Sequence, residues 1–392
     1  MKTKILLLLA AGMLCCFACS KELDNPGNDL TVSLKSLVSG EGTLVSEVIH
    51  STGLEGNLAG LPADRNLKIY LPKSYETCPE KRFPVIYFLH GMPAWGGMLT
   101  DAEPFEIFFQ MAQLQARVDF PEQGFEHWVN DLIDNEAMRE VIIVMPDART
   151  IFGPCIYQNS EILGNFEDYI VQDVVSYMDT HYRTIPHFNW RALTGHCAGG
   201  YGALQIAMKY PHVFRNVGAL SPAHFPEPTW LAIAGFMTME DALWEGYGAP
   251  AGPMPYDPFQ PFKFANNTAY ALAQAWLPNL SNPPFFCDLP FTYVDGQPVI
   301  VPELMTKVNA QSLFALSAAN VTGMRKLKTI YFDCGENDDL GMYEPNLMFH
   351  EHLMRLNIKH DFETYSGTHI SHLYDRLGKL WIDLSNDFPE ED

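Results

Sequence analysis

Cys197 is the residue of this chain best placed for covalent chemistry. It stands in Gly195-His196-Cys197-Ala198-Gly199-Gly200, a glycine, a spacer, a nucleophile, a spacer and a glycine. Ala192 to Thr194 reads as a short strand running into Gly195, and Ala198 to Tyr210 as the helix after it, stopped by Pro211. A sharp strand-to-helix turn puts the middle residue at its tip, and flanking glycines let backbone approach without a Cβ clash. The helix then aims its N–H groups at the site, which favours an anion there, whether a thiolate or an oxyanion. Three more motifs leave strand ends. His90-Gly91-Met92 follows the apolar run Pro84 to Leu89, so the N–H groups of Met92 and Ala198 become the candidate oxyanion donors. Asp333-Cys334-Gly335-Glu336-Asn337-Asp338 leaves a strand beginning near Lys328, and Gly367-Thr368-His369 leaves one ending at Tyr365. In that order His369 would take the Cys197 proton and pass it to a leaving alcohol, with Asp338 holding the imidazole tautomer.

The elements that must position these groups alternate along the chain. PVIYFL at Pro84 to Leu89 and VIIVM at Val141 to Met145 are continuous β-branched and aromatic runs, as expected of strands buried on both faces of a parallel sheet. Leu67 to Leu71 alternates and stops at Pro72, like an edge strand. Asn165 to His181 has helical spacing, as does Glu344 to Asn357, with Pro345 near its start. Lys328 to Asp333 and Asp361 to Tyr365 read as further strands, and a closing helix carries Leu373, Leu377, Leu380, Trp381 and Leu384. Strands alternating with helices predict an α/β chain with one doubly wound, mostly parallel sheet. One stretch breaks the rhythm: from Phe225 to about Pro302 the chain is rich in proline, aromatics and glycine, and is expected to be an inserted lid or pocket wall.

The first twenty residues read as an address. Lys2 and Lys4 precede the apolar run Ile5 to Leu14, too short to span a bilayer as a helix. Residues 1–18 are expected to be a signal peptide, with Cys19 the lipidated first residue of the mature chain and Cys15 a weaker candidate. Residues 19–45 then form a tether, and 46–386 the folded domain with its insertion at about 225–302. Lys21 and Glu22 resemble an export signal that carries bacterial lipoproteins to the cell surface, so the expected place is the outer membrane, facing out. With 47 acidic against 25 basic residues the formal charge is −22, which argues against nucleic acid and anionic headgroups as partners. The membrane is therefore reached only through the anchor. The cysteine spacing shows no zinc pattern, and no metal or cofactor is expected. His350 and His352, two apart on a helix, face different ways. His181, His187 and His212 read as surface or helix-end residues, and Trp95 and Tyr157 as loop residues bordering the site.

Taken together, NLKIYLPKSY, FPVIYFLHG, YQNSEILGNFEDYI, YRTIPHFNWRALTGHCAGGYGAL, FDCGENDDL and YSGTHISHLY resemble the esterase D family of α/β-hydrolases. That family includes S-formylglutathione hydrolases and bacterial feruloyl and acetyl-xylan esterases. The resemblance runs from about Ser51 to Ser221 and resumes from about Leu327 to Leu384. It implies an α/β-hydrolase fold and selects Asp338 over Asp333, Glu336 and Asp339, because the family's acid follows C-G-x-x-D. It selects His369 over His372 through G-x-H. It also implies serine where Cys197 stands, although dienelactone hydrolases of the same superfamily use cysteine in such an elbow. The implied activity is hydrolysis of carboxylic esters, on acyl or hydroxycinnamoyl groups attached to glycans. Two other functions compete: acyl transfer through a Cys197 thioester, and non-catalytic binding on a retired hydrolase scaffold.

Overall fold

The computed structural model describes residues 41–92, 97–100, 119–135, 137–153, 155–257 and 259–390. The leader, Cys19, most of the tether and Trp95 lie outside the described residues. Strands β1 (Thr43–His50), β2 (Asp64–Leu71), β3 (Val85–Leu89) and β4 (Ile142–Pro146) open the chain, with helix α1 (Phe125–Asp134) between the last two. A two-residue ladder, β5 (Asn159–Ser160) with β6 (Gly164–Asn165), leads to a helical run that passes through a π segment at Tyr169–Val174 into α2 (Val175–His181). Next come β7 (Arg191–His196), α3 (Ala198–Lys209) and β8 (Asn216–Leu220). The main sheet has eight strands in the order β1-β2-β4-β3-β7-β8, followed by β11 (Thr329–Gly335) and β12 (Asp361–Tyr365). β1 and β2 pair antiparallel with their neighbours, and the rest of the sheet is parallel.

The apolar runs explain the central strands. Along β3, Val85, Tyr87 and Leu89 enter one core cluster while Ile86 and Phe88 enter the other. In β4, Ile142 and Val144 go to the first cluster, and Ile143 and Met145 to the second. Helices cover both faces, so a strand there must be apolar on both sides and shows no alternation. Helices α8 (Tyr343–Arg355) and α9 (Leu373–Asp387) close the fold, and the α9 residues Leu373, Leu377, Leu380, Trp381 and Leu384 all lie in the second cluster.

Two expectations need correction, and a third gains detail. The Leu67 strand is not an edge, because β1 pairs along its whole length, from Thr43 opposite Leu71 to His50 opposite Asp64. The sheet therefore begins at Thr43, inside the stretch assigned to the tether. The 225–302 insertion, expected as a lid or pocket wall, has regular structure. Between β8 and β11 it folds into α4 (Glu227–Glu245), α5 (Phe264–Trp276) and a hairpin of β9 (Phe291–Val294) with β10 (Gln297–Ile300), followed by α6 (Pro302–Ala310) and α7 (Leu313–Ala319). Pro228 and Pro302 stand where helices tolerate them, at the first turns of α4 and α6, and the densest proline run is the link between α4 and α5. Trp230, Ala234, Ala269 and Leu272 give it a buried interior continuous with the first core cluster.

The parallel registers bring the candidate residues to one edge. Leu89 lies opposite Gly195, His196 opposite Leu220, Leu220 opposite Asp333, and Gly335 opposite Tyr365. The segments carrying Gly91, Cys197, Asp338 and His369 thus leave the C-terminal ends of β3, β7, β11 and β12, with only β8 between them, at the ligand-binding edge of open α/β sheets.

Candidate active site

Cys197 joins β7 to α3 with φ 58° and ψ −121°, a conformation that costs a non-glycine residue on the order of 1–3 kcal/mol. The surroundings hold it there. Its N–H donates to Leu220 O at 3.0 Å, and its carbonyl accepts from Tyr201 N and Ala223 N, each at 3.0 Å. The elbow fits so closely against β3 that a Cβ on Gly199 would stand 1.9 Å from Leu89 O, and one on Gly195 2.3 Å from Gly199 O. A Cβ on Gly91 would lie 2.8 Å from the Cys197 Cβ, which puts the Gly91–Met92 segment directly against the nucleophile. Ala198 is the first residue of α3, so its N–H belongs to the helix N-terminus facing the same place.

His369 Nδ1–H donates to Asp338 Oδ2 at 2.7 Å, and both side chains are buried. The other Asp338 oxygen accepts from Leu340 N at 2.9 Å and Met342 N at 3.2 Å, while the Cys334 thiol donates to Oδ2 at 3.5 Å. Burial would raise the Asp338 pKa, but the imidazole and these backbone donors outweigh it and hold it at about 2. Burial would likewise lower the His369 pKa. The Asp338 carboxylate, through its charge and its hydrogen bond, and the Cys197 sulfur beside the ring overcome that and hold the imidazole well above 6.5. Among the described residues the buried Nε2 has no hydrogen-bond partner, and Cys197 acts on the ring from beside it. Cys197 and the His369–Asp338 pair are therefore brought to one place, with the Gly91–Met92 segment and the start of α3 beside the thiol.

The other acids of the segment do different work. Asp333 is buried in an ion pair with Arg376 at 2.8 Å and accepts from Ser221 N. Asp339 accepts the backbone N–H of His369 at 3.2 Å, and Glu336 accepts from Thr364 near the surface. His372 is exposed at the start of α9, beside Asp375.

Sequence reasoning missed the clamp on the His369 carbonyl. It accepts from His196 Nε2 at 3.1 Å, Ser221 Oγ at 3.2 Å and Arg376 Nη2 at 3.3 Å, donors from three elements. Burial and the nearby His369 charge hold the His196 pKa well below 6.5, so it is a neutral donor. A signal existed for Arg376: a charged residue one turn from Leu373 and Leu380 on the buried stripe of α9 must have a buried partner. Tyr157, expected at the site's border, is fully buried; its hydroxyl donates to His90 O at 2.8 Å and its ring packs over Gly202. It is a packing residue, not a platform for substrate. His350 pairs with His360 at 2.8 Å, well away from these groups in the sequence. Among the described residues no group of His, Cys, Asp and Glu is arranged to hold a metal ion, no helix is long and apolar enough to cross a membrane, and the five cysteines are free thiols.

Beside the elbow lies a cavity of about 20 Å³, lined by Tyr201, Ala223, Phe225, Trp276, Val308 and Leu313. A larger one of about 380 Å³ opens at Thr329 and Asp361, where β11 and β12 begin, so it lies at the opposite end of the sheet from the chemistry.

Fold and site together define an α/β-hydrolase with a nucleophile elbow. The chain belongs to the Esterase family, described as "Putative esterase", whose profile matches residues 59–378. It is similar to an esterase of Mycobacterium tuberculosis, 27% identical over 159 residues, 40% of this chain. The chain spans only about 28% of the length of that curated relative. Among solved structures it is similar to a ferulic acid esterase with TM-score 0.56 and 19% identity, covering 89% of this chain and 98% of that one. An S-formylglutathione hydrolase of Staphylococcus aureus aligns with TM-score 0.51 and 16% identity, covering 88% and 99%. At these identities the structural likeness shows the fold.

Proposed function

We propose that the chain is an extracytoplasmic carboxylic ester hydrolase that works through a Cys197–His369–Asp338 triad. The observation that supports it most is the buried His369–Asp338 hydrogen bond of 2.7 Å on an imidazole beside a strained cysteine. The Cys197 sulfur attacks the ester carbonyl carbon, and the carbonyl oxygen becomes an oxyanion between the N–H groups of Met92 and Ala198. His369 gives its Nε2 proton to the departing alkoxide, leaving a thioester on Cys197. Water then attacks the thioester carbon and yields its proton to His369. The carbon–sulfur bond breaks, the acid leaves, and the thiolate faces imidazolium again.

For the acyl group we propose acetyl or hydroxycinnamoyl, carried on a glycan. The cavity beside the elbow has room for about one water-sized group, which suits a methyl. Its Tyr201, Phe225 and Trp276 walls are aromatic faces on which a flat ring could stack at the cavity mouth. Location rests on the leader and Cys19: palmitate should label the wild-type chain and not Cys19→Ser in a bacterial host, and equal labelling would sink the anchor.

The test of activity follows p-nitrophenol release from p-nitrophenyl acetate, with methyl ferulate as a second ester. Steady turnover abolished by iodoacetamide and by His369→Ala is the expected result. A burst without turnover would favour acyl transfer. Silence in the wild type and in Cys197→Ser alike would overturn the hydrolase reading.

A further inference from the structure

His90 follows the last residue of β3 and is 2% exposed. Each of its ring nitrogens has a partner. Ala148 N–H donates to Nε2 at 2.9 Å, so Nε2 is the acceptor and carries no proton. The single proton of the neutral ring therefore sits on Nδ1, 3.1 Å from the carbonyl oxygen of Gly91. Burial outweighs the nearby Asp147 carboxylate and holds the His90 pKa at about 4, so this tautomer persists at neutral pH. The loop that supplies Ala148 is itself braced, since buried Arg65 donates to Asp147 O at 3.1 Å and Arg149 O at 2.7 Å.

The consequence lies in one peptide plane. The Gly91–Met92 bond is trans, as only Pro283–Pro284 is cis among the described residues. In a trans peptide the carbonyl and the next N–H point in opposite directions, so holding one aims the other. Neighbouring peptide groups are also fixed: Tyr157 hydroxyl donates to His90 O at 2.8 Å, and Gly91 N–H points to Met98 Sδ at 3.3 Å. Gly91 itself presses on the Cys197 Cβ. We propose that His90 is a positioning residue: its Nδ1–H holds the Gly91 carbonyl and so aims the Met92 N–H at the oxygen of the tetrahedral intermediate. This rests on the thiol-hydrolase reading given above.

Asparagine and glutamine separate the two ring nitrogens. The amide of His90→Asn can reach where Nδ1 was and still donate to Gly91 O. That of His90→Gln can reach where Nε2 was and still meet Ala148, but leaves Gly91 O without its donor. Two reactions of Cys197 are measured on each variant: acylation by p-nitrophenyl acetate, which needs the oxyanion donors, and alkylation by iodoacetamide, a displacement at saturated carbon that does not. The expected result for His90→Gln is acylation slower by about 10- to 100-fold at unchanged KM, with alkylation within about twofold of wild type. For His90→Asn, acylation should stay within about threefold to fivefold of wild type, since one donor is kept. Equal losses in both variants, or acylation and alkylation falling together, would overturn the proposal and leave His90 a packing residue. The wild-type protein offers a check that needs no variant: the ¹⁵N shifts of His90 should report a proton on Nδ1, and a proton on Nε2 would also overturn it. A wild-type chain that alkylates at Cys197 but never acylates would instead remove the hydrolase reading beneath it.

Discussion

Asp338 and Cys197 act on His369 from opposite sides of the ring, and both favour its charged form. An imidazole held in its charged form carries a proton on Nε2 on the side where the sulfur lies. In that state the proton needed by the leaving alcohol is already on Nε2. Replacing sulfur by oxygen tests this directly. Cys197→Ser replaces the sulfur, one of the two groups that raise the imidazole pKa, by a hydroxyl that stays neutral, while burial, which lowers it, stays. The His369 pKa should therefore fall in the serine variant, read from imidazole resonances across a pH titration assigned with His369→Gln. An unchanged titration would mean that Cys197 holds no negative charge against the ring, and His369 would revert to a general base for a neutral thiol.

At the scale of elements, legibility followed burial. The strands β3 and β4 were readable because a central strand is wholly apolar, whereas β12, an exposed edge strand, was found with its ends correct from its alternation and the breaks beside it. The elbow was readable because glycines at 195 and 199 are demanded by backbone contacts under 3 Å, which leave a mark in the sequence. What failed had no such local mark. β1 is mostly half-exposed along its length, so its Thr43–His50 pattern is faint until β2 is beside it. β8 carries Asn216 and Gly218; the glycine is there because Leu380 of α9 occupies the space a Cβ would take, a contact across more than 160 residues of chain. The inside of the insertion was not legible from composition: its prolines and aromatics suggest loops, yet Pro228 and Pro302 stand at helix starts and Trp230 of α4 packs on Phe291 of β9. Of the site, the triad candidates could be named because each ends a strand. The His369 carbonyl clamp and the role of His90 depend on side chains meeting across the sheet, which spacing along one segment cannot report.

Across the whole molecule, the same buried histidines that organise the site tie its stability to pH. Burial lowers His90 and His224 from 6.5 to about 4, and His196 well below 6.5. Between those values and 6.5 the unfolded chain binds protons that the folded chain refuses, so stability is complete above pH 6.5 and is lost as pH falls toward 4. At about 1.4 kcal/mol per unit, His90 and His224 each account for on the order of 3 kcal/mol by pH 4. His369 runs the other way: its folded pKa is raised, so its contribution is full below 6.5 and fades only as pH climbs through the folded value. Asp338, held at about 2, loses its contribution only below the ordinary carboxylate range. The formal charge of −22 pushes oppositely, since acid relieves repulsion, but at 0.15 M salt that repulsion is screened beyond about 8 Å. The histidines should therefore win in the window from pH 6.5 to 4.5. Scanning calorimetry should show Tm falling across that window by on the order of 10 °C, at roughly 2 °C per kcal/mol for a domain of this size. His224 is the cleanest probe, because its Nε2 meets only Asn346 Oδ1 at 3.3 Å and it holds no group of the triad. In His224→Gln the slope of Tm against pH should flatten, even though Tm at pH 7 drops. A slope equal to that of the wild type would assign the acid sensitivity to the carboxylates instead.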